Sequence, residues 1–215
     1  MNLELLDVGQ EGLVWVASPA MRKRTGEARE NRHVRDRPNG PTRGNTLAEE
    51  DLVEQVREGK MNFILVLDCV QDPHNLGAIL RTADGAGVQA VIVPKDKSAG
   101  ITDTVRRISV GAADSVPFVR VTNLSRAMKS LQDAGMWLVG TSDKAEKTLF
   151  ETDLRGSLGV VIGAEGDGLR RLTEEGCDFL VKLPMLGKVP CLNASVATGV
   201  CLYEAVRQRG EGTKS

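Results

Sequence analysis

Short apolar runs alternate with amphipathic stretches along most of the chain. Six runs are apolar with few interruptions, as in strands that are covered on both faces of a sheet; they lie at residues 62–68, 88–94, 116–121, 136–142, 157–164 and 178–184. Helical patterns occur at residues 47–58, 75–87, 102–110, 124–135, 169–176 and 195–209. Because strand and helix alternate about every 10–15 residues, the pattern predicts an α/β fold with a mostly parallel sheet and helices on both faces.

The first 46 residues do not follow this pattern. Residues 1–20 hold one strand-like piece, GLVWVAS, which is too small to be a domain. Residues 22–43 carry eight basic and three acidic side chains, although the whole chain is nearly balanced at 28 basic and 29 acidic. We interpret residues 21–46 as a flexible basic linker that either contacts phosphate groups or only aids solubility. The main domain is then expected at residues 47–210, with a tail at 211–215.

Cysteine usage and hydropathy narrow the class of protein further. The cysteines at positions 69, 177, 191 and 201 form no CxxC pair and have no histidine beside them, so we expect no metal site. Isolated cysteines indicate a reducing compartment. No apolar run approaches ~18 residues, and the N-terminus lacks a signal-peptide pattern. We therefore expect a cytoplasmic protein that does not contact a membrane.

Three loops rich in Gly, Asn and acidic residues follow predicted strands, at residues 68–75, 163–168 and 183–193. Parallel α/β sheets bind ligands beyond the carboxyl ends of their strands. Since all three loops fall at such ends, we expect them to converge on one site.

The first two loops carry candidate polar groups. Asn75 can cap the helix that follows it, and Arg81 can clamp a phosphate with its planar guanidinium or form an ordinary surface ion pair. Glu165 lies at the tip of the Gly163-x-x-Gly166-x-Gly168 turn. This spacing differs from the GxGxxG dinucleotide fingerprint, so the turn predicts backbone contacts to a ligand or a simple tight turn.

The third loop, LPMLGKVPCLN, is too apolar for an ordinary surface loop and is broken by glycine and proline. Its main chain could hold an apolar or adenine-like ligand around Leu183, Met185 and Leu192. Asn193 and Ser195 offer polar side chains at the start of the last helix, either as a cap or as ligand contacts. We expect Cys191 to pack or to form a weak polar contact, because no His or Lys lies beside it to activate the thiol.

Three segments, NLGAILRTADGAG, VVIGAEGDGLRRL and LPMLGKVPCLNASVATGVCLYEAV, resemble the three ordered motifs of the SpoU/TrmH family. These are RNA 2′-O-ribose methyltransferases of the SPOUT class, and the resemblance covers roughly residues 61–209. It implies an α/β fold with a deep C-terminal trefoil knot, S-adenosylmethionine bound in the knot, and a homodimer packed through the knot region. It also implies an RNA substrate.

The resemblance assigns roles to residues by matching positions. It implies cofactor contacts, largely through the backbone, at Gly163, Leu183 and Leu192, with Met185 of the same loop beside them. The catalytic polar residues would be Asn75, Arg81, Glu165 and Asn193. Cys191 stands where the family usually has serine, and a thiol is a weaker donor than a hydroxyl. Cys191 and Ser195 are therefore possible substrate contacts, with positioning weakened at Cys191.

Three functions stay open at this point. The resemblance is strongest to family members that methylate a guanosine of 23S rRNA, and a tRNA 2′-O-methyltransferase is the alternative. Such members carry an N-terminal RNA-recognition domain, whereas residues 1–20 resemble only its tail. A non-catalytic, knotted protein that binds RNA or assists ribosome assembly is the third. In the catalytic cases we expect Arg81 to act as a cation, because a guanidinium is hard to deprotonate.

Overall fold

The computed structural model describes residues 45–211, except for the side chain of Glu211. The expected remnant at 1–20, most of the linker at 21–46 and residues 212–215 of the tail lie outside the described residues. Of the linker, Asn45 and Thr46 are described. The Asn45 carbonyl accepts a hydrogen bond of 2.8 Å from the Phe118 amide, and Thr46 forms a bridge with the same residue.

Six strands form one sheet, and every pair of neighbouring strands in it is parallel. The strands are β1 (Phe63–Leu67), β2 (Ala90–Pro94), β3 (Phe118–Val121), β4 (Trp137–Thr141), β5 (Leu158–Ile162) and β6 (Phe179–Val181). Their order is β3-β2-β1-β5-β4-β6. All six predicted strands are confirmed. The order puts β5 directly beside β1, so the loops that leave these two strands emerge next to each other.

The helices are α1 (Glu49–Arg57), α2 (Pro73–Gly85), α3 (Asp103–Ser109), α4 (Ala112–Ser115), α5 (Leu124–Asp133), α6 (Arg171–Glu175) and α7 (Ala194–Glu211). They cover both faces of the sheet, as the pattern predicted. Leu65 and Leu67 of β1 belong to one buried cluster, with α2, α3 and α7. Ile64 and Val66 belong to a second cluster, with α1 and α5. This alternation follows from the two-residue period of a strand.

Close packing of α2 against α3 depends on Gly77. A Cβ atom on Gly77 would lie 2.7 Å from the Cβ of Ile108 and 3.2 Å from the Val105 carbonyl oxygen. The absence of a side chain at Gly77 therefore allows α2 and α3 to approach each other closely. None of the helices within residues 45–211 is long and apolar enough to cross a membrane.

Candidate active site

The site lies at the carboxyl ends of β1 and β5, where two of the three predicted loops emerge side by side. The third loop follows β6 and reaches the same place at its far end, where α7 begins. Three side chains from these segments meet: Asn75, Glu165 and Asn193. The predicted convergence is confirmed.

Asn75 is in the first turn of α2, but it does not cap this helix. Asp72 is the cap: its carboxylate accepts hydrogen bonds from the backbone amides of His74 (3.0 Å) and Asn75 (3.4 Å). Pro73 occupies the first helical position, where its missing N–H costs nothing. The expected cap at Asn75 is therefore wrong. With the capping role taken by Asp72, the Asn75 side chain points to the other loops.

The Asn75 amide makes two hydrogen bonds across the site. Its Nδ2 donates to Glu165 Oε2 at 3.3 Å, and its Oδ1 accepts from Asn193 Nδ2 at 2.9 Å. The second bond joins residues that are 118 positions apart. Donor and acceptor of one amide are thus used in different directions, which fixes the orientation of the Asn75 side chain.

Glu165 projects from a tight turn after β5. The backbone amides of Ala164 and Gly168 each donate to the carbonyl of the other, at 3.1 and 3.0 Å. The turn closes this tightly because Gly163 has no side chain: a Cβ atom there would lie 2.2 Å from the carbonyl carbon of Gly168. Gly166 and Gly168 have φ of 86° and 68°, a region that favours glycine. The glycines serve the shape of the turn that presents Glu165.

Asn193 combines a structural and a site role. Its Oδ1 accepts hydrogen bonds from the backbone amide (2.9 Å) and the hydroxyl (2.6 Å) of Ser195, which caps the start of α7. Its Nδ2 donates to Asn75 Oδ1 and to Glu165 Oε2, the latter at 3.1 Å. The expected cap at Asn193 is confirmed, and its role as a site residue stays a prediction. The Ser195 hydroxyl donates to Asn193 and thereby helps to fix the orientation of the Asn193 side chain.

Arg81 is exposed on α2, about two turns beyond Asn75. Its side chain forms no hydrogen bond or ion pair with another residue in the range 45–211, so the structure does not bring it into the network of Asn75, Glu165 and Asn193. The alternative of a surface ion pair is not observed among these residues. The guanidinium remains available to a ligand.

The main chain of residues 183–192 makes no hydrogen bond with the rest of the described chain. Leu183 packs against the core, Met185 and Leu192 are half-buried, and Cys191 is exposed. Between Lys182, bonded to Lys147, and Asn193, this segment offers its N–H and C=O groups to a partner. Backbone groups without a partner in this segment could form hydrogen bonds with the adenine and amino-acid parts of a cofactor such as S-adenosylmethionine.

One contact was missed by the sequence reasoning. Asp68, the residue after β1, is fully buried and forms an ion pair with Arg170 at 2.6 Å. The pair joins the ends of two of the three loops. The sequence does show an acidic residue at the end of a continuous apolar run. Its partner, Arg170, lies 102 positions away, and no local sequence pattern marks it as that partner.

Thiol chemistry is suppressed at three of the four cysteines. Burial raises the pKa of Cys201 to about 12, and burial together with the nearby Asp178 and Glu174 carboxylates raises that of Cys177 to about 12. Burial and Asp68 also raise the pKa of Cys69. These thiols therefore stay protonated at neutral pH and serve packing.

Residues 62–203 match the SpoU rRNA Methylase family, and the chain belongs to this family. The three motifs that suggested it in the sequence are those that build the site. A parallel sheet with a polar network at the carboxyl ends of β1 and β5 is the framework that carries them.

The chain is also similar to a relative whose name states a specific enzyme activity. The chain is 59% identical over 163 residues to the 23S rRNA (guanosine-2′-O-)-methyltransferase RlmB of Vibrio cholerae. The match covers 76% of this chain and 66% of the relative. The chain thus spans about two thirds of the length of that curated relative.

Solved structures share the fold. One is the SpoU methyltransferase AviRb from Streptomyces viridochromogenes in complex with the cofactor AdoMet, at a TM-score of 0.63 and 31% identity, covering 80% of this chain and 64% of that chain. Another is the TrmH/SpoU tRNA modifying enzyme of A. aeolicus, at a TM-score of 0.64 and 29% identity, covering 77% and 86% of the two chains.

Proposed function

We propose that this chain transfers a methyl group from S-adenosylmethionine to the 2′-hydroxyl of a guanosine ribose in 23S rRNA. The observation that carries the proposal is the network of Asn75, Glu165 and Asn193 at the ligand-binding edge of a SpoU-family fold. The RlmB relative at 59% identity is named for this reaction. Because the chain spans only about two thirds of that relative, the choice of substrate belongs to the proposal.

Residues 183–192, whose backbone groups make no hydrogen bonds with the rest of the described chain, would hold the cofactor. Leu183, Met185 and Leu192 would contribute main-chain hydrogen bonds and apolar contacts, and the backbone of Gly163 would close the site from β5. When bound, S-adenosylmethionine supplies an electrophilic methyl group to the ribose 2′-oxygen, whose proton leaves. The AdoMet complex of the related AviRb supports this choice of cofactor.

The polar network orients the ribose. Glu165 Oε2 already accepts two amide hydrogen bonds, which fix the carboxylate and leave Oε1 to accept from a ribose hydroxyl. Holding the 2′-oxygen in one attack geometry turns a bimolecular encounter into a positioned one. Exposed Cys191 would lie at the rim as a weak substrate contact, and Ser195 would keep Asn193 aligned.

Arg81 would stabilise charge rather than accept a proton. A guanidinium stays protonated in proteins, so it cannot serve as the general base. As a cation beside the target phosphate and the 2′-oxygen, it would stabilise the negative charge that develops on the oxygen. The proton would pass to a phosphate oxygen or to water.

We also propose that residues 182–193 complete a trefoil knot and that two copies of the chain pair through this region. In support of the knot, the chain leaves β6 at the edge of the sheet and returns to the centre, where Asn193 meets the turn after β5. In support of the pairing, α7 is apolar on two sides. Cys201, Leu202 and Ala205 are buried in the core, whereas Val196 and Tyr203, which lie two helical turns apart, are exposed.

The decisive assay is methyl incorporation. Purified full chain, tritiated S-adenosylmethionine and either unmodified 23S rRNA or unmodified tRNA would be combined, and the modified nucleotide mapped. We expect label in a guanosine ribose of 23S rRNA. Label in tRNA alone would replace this proposal with the tRNA activity, which the likeness to the A. aeolicus enzyme favours as second candidate. No label in either RNA, with cofactor bound, would indicate a non-catalytic RNA-binding protein.

A further inference from the structure

Asp68 and Arg170 form an ion pair behind the polar network. The Arg170 Nε donates to Asp68 Oδ1 at 2.7 Å, and its Nη2 lies 2.6 Å from the same oxygen. The Arg170 backbone amide donates to Oδ2 at 2.9 Å. The carboxylate is fully buried, whereas the Arg170 side chain is 46% exposed. Both oxygens of the buried charge are therefore satisfied by one residue.

A buried ion pair is a poor source of stability, because desolvation of the charges offsets their attraction. Its position offers a more specific role. Asp68 directly follows β1, seven residues before Asn75, and Arg170 comes five residues after Glu165. The pair therefore connects the backbones of the two loops that carry these site residues.

Arg170 is also where the loop after β5 ends. Its carbonyl accepts hydrogen bonds of 2.9 Å from the amides of Thr173 and Glu174, and these bonds form the first turn of α6. At the other end, Ile162 is tied to Asp68 itself, since the Asp68 amide donates to the Ile162 carbonyl at 2.8 Å. Asp68 thus holds both ends of residues 163–170: the start through its backbone and the finish through its carboxylate.

We propose that Asp68 and Arg170 are positioning residues that hold the loop at 163–170 so that the Glu165 carboxylate stays within hydrogen-bond distance of Asn75 and Asn193. This inference rests on the proposed methyl transfer. Neither residue is required to touch the substrate. Without the pair, the loop keeps its internal turn between Ala164 and Gly168 but loses its anchor at Arg170.

The test is a double-mutant cycle on the full chain. Arg170→Gln removes the charged fork, and Glu165→Gln removes the group that it positions. We expect Arg170→Gln to lower kcat about tenfold or more, since small displacements of a positioned group are costly. In the Glu165→Gln background the same change should cost less than about twofold, because contacting residues in one network are non-additive. Arg171→Gln, which removes the neighbouring exposed pair with Glu175, is the matched control and should leave kcat unchanged.

A second measurement does not depend on activity. Hydrogen exchange of the amides in residues 163–170 should accelerate at least tenfold in Arg170→Gln and stay unchanged in Arg171→Gln. If Arg170→Gln does not fold, Arg170→Lys keeps the charge without the fork and should give the same effects in weaker form. Unchanged exchange in the loop, or equal losses of kcat with and without Glu165, would overturn the proposal. A wild-type chain with no methyl transfer would contradict the proposed function, while the exchange experiment would still test the pair.

Discussion

The side-chain amide nitrogen of Asn193 donates to both Asn75 Oδ1, at 2.9 Å, and Glu165 Oε2, at 3.1 Å. The amide oxygen of the same residue caps α7 through Ser195. One side chain therefore links the start of the last helix to the two earlier loops. The helix cap and the contacts with Asn75 and Glu165 can be tested separately, because the cap uses the amide oxygen of Asn193 and the contacts use its amide nitrogen.

Asn193→Asp keeps the cap and removes the donor. Asp and Asn cap helices about equally well, so the free energy of unfolding should change by less than about 0.5 kcal/mol. Methyl transfer should fall about tenfold or more, equivalent to ~1.4 kcal/mol, because a second carboxylate then faces Glu165 in place of an N–H donor. Asn123→Asp, at the cap of α5, is the matched control, and it should change neither quantity. Methyl transfer that survives Asn193→Asp would contradict the assigned role.

Arg81→Ala tests the proposed cation. We expect a loss of methyl transfer of about a hundredfold or more, the scale measured when a group that stabilises transition-state charge is removed. Cofactor affinity, measured by calorimetry, should stay within about twofold, because Arg81 contacts none of the described cofactor segment. Arg57→Ala removes an exposed arginine from the last turn of α1 and should have no effect. A fully active Arg81→Ala variant would exclude Arg81 from the reaction.

Val110 has the clearest backbone strain among residues 45–211. It follows α3 with φ of 53° and ψ of 41°, and its side chain is 69% exposed. A left-handed conformation costs roughly 1–2 kcal/mol for an ordinary residue, and asparagine tolerates it better. Val110→Asn should therefore raise the free energy of unfolding by about 0.5–1 kcal/mol, or the melting temperature by about 1–4 °C. Val110→Ala, which keeps the Cβ atom, should gain less; equal gains would show that strain is not the cause.

Glu204 makes the stability of α7 sensitive to acid. Hydrogen bonds from Arg207 and Gln208 lower the pKa of this buried carboxyl to about 2, against the opposing effect of burial. A lowered pKa stabilises the fold above the unfolded value of roughly 4.3, and this contribution is lost as the pH falls toward 2. The stability advantage of wild type over Glu204→Gln in chemical unfolding should therefore shrink between pH 5 and pH 2. An exposed control, Glu50→Gln, should track the wild type, and a constant gap for Glu204→Gln would contradict this account.

The exposed apolar side chains of Val196 and Tyr203 on α7 offer a test of the proposed pairing of chains. Tyr203 is 53% exposed on α7, and a charge there would be buried in a dimer. We expect sedimentation to give a dimer for the wild type and a monomer for Tyr203→Glu at micromolar concentration. Phe150→Glu changes an equally exposed aromatic residue of the 3₁₀ turn Leu149–Glu151 and should leave the dimer intact. A wild-type monomer would contradict the pairing without affecting the proposed reaction.

Local patterns in the sequence determined the elements and the family. Each of the six strands is a run of apolar residues, because a strand covered on both faces buries every side chain, and this requirement is visible without knowing the neighbours. The helices α1 and α5 show their apolar faces in the same way. The three motifs identified Asn75, Glu165 and Asn193 as site residues, and those three do meet.

The tertiary structure decided which atoms meet and which residues hold them. Whether Asn75 caps α2 could not be read from its neighbours, since Asp72 competes for the same amides and wins. The pairing of Asp68 with Arg170 depends on β5 lying beside β1, although β2, β3 and β4 come between them in the chain. Strand order is set by the burial of whole faces and not by any local pattern. The sequence therefore named the groups of the site, whereas the order of the strands brought them within hydrogen-bond distance.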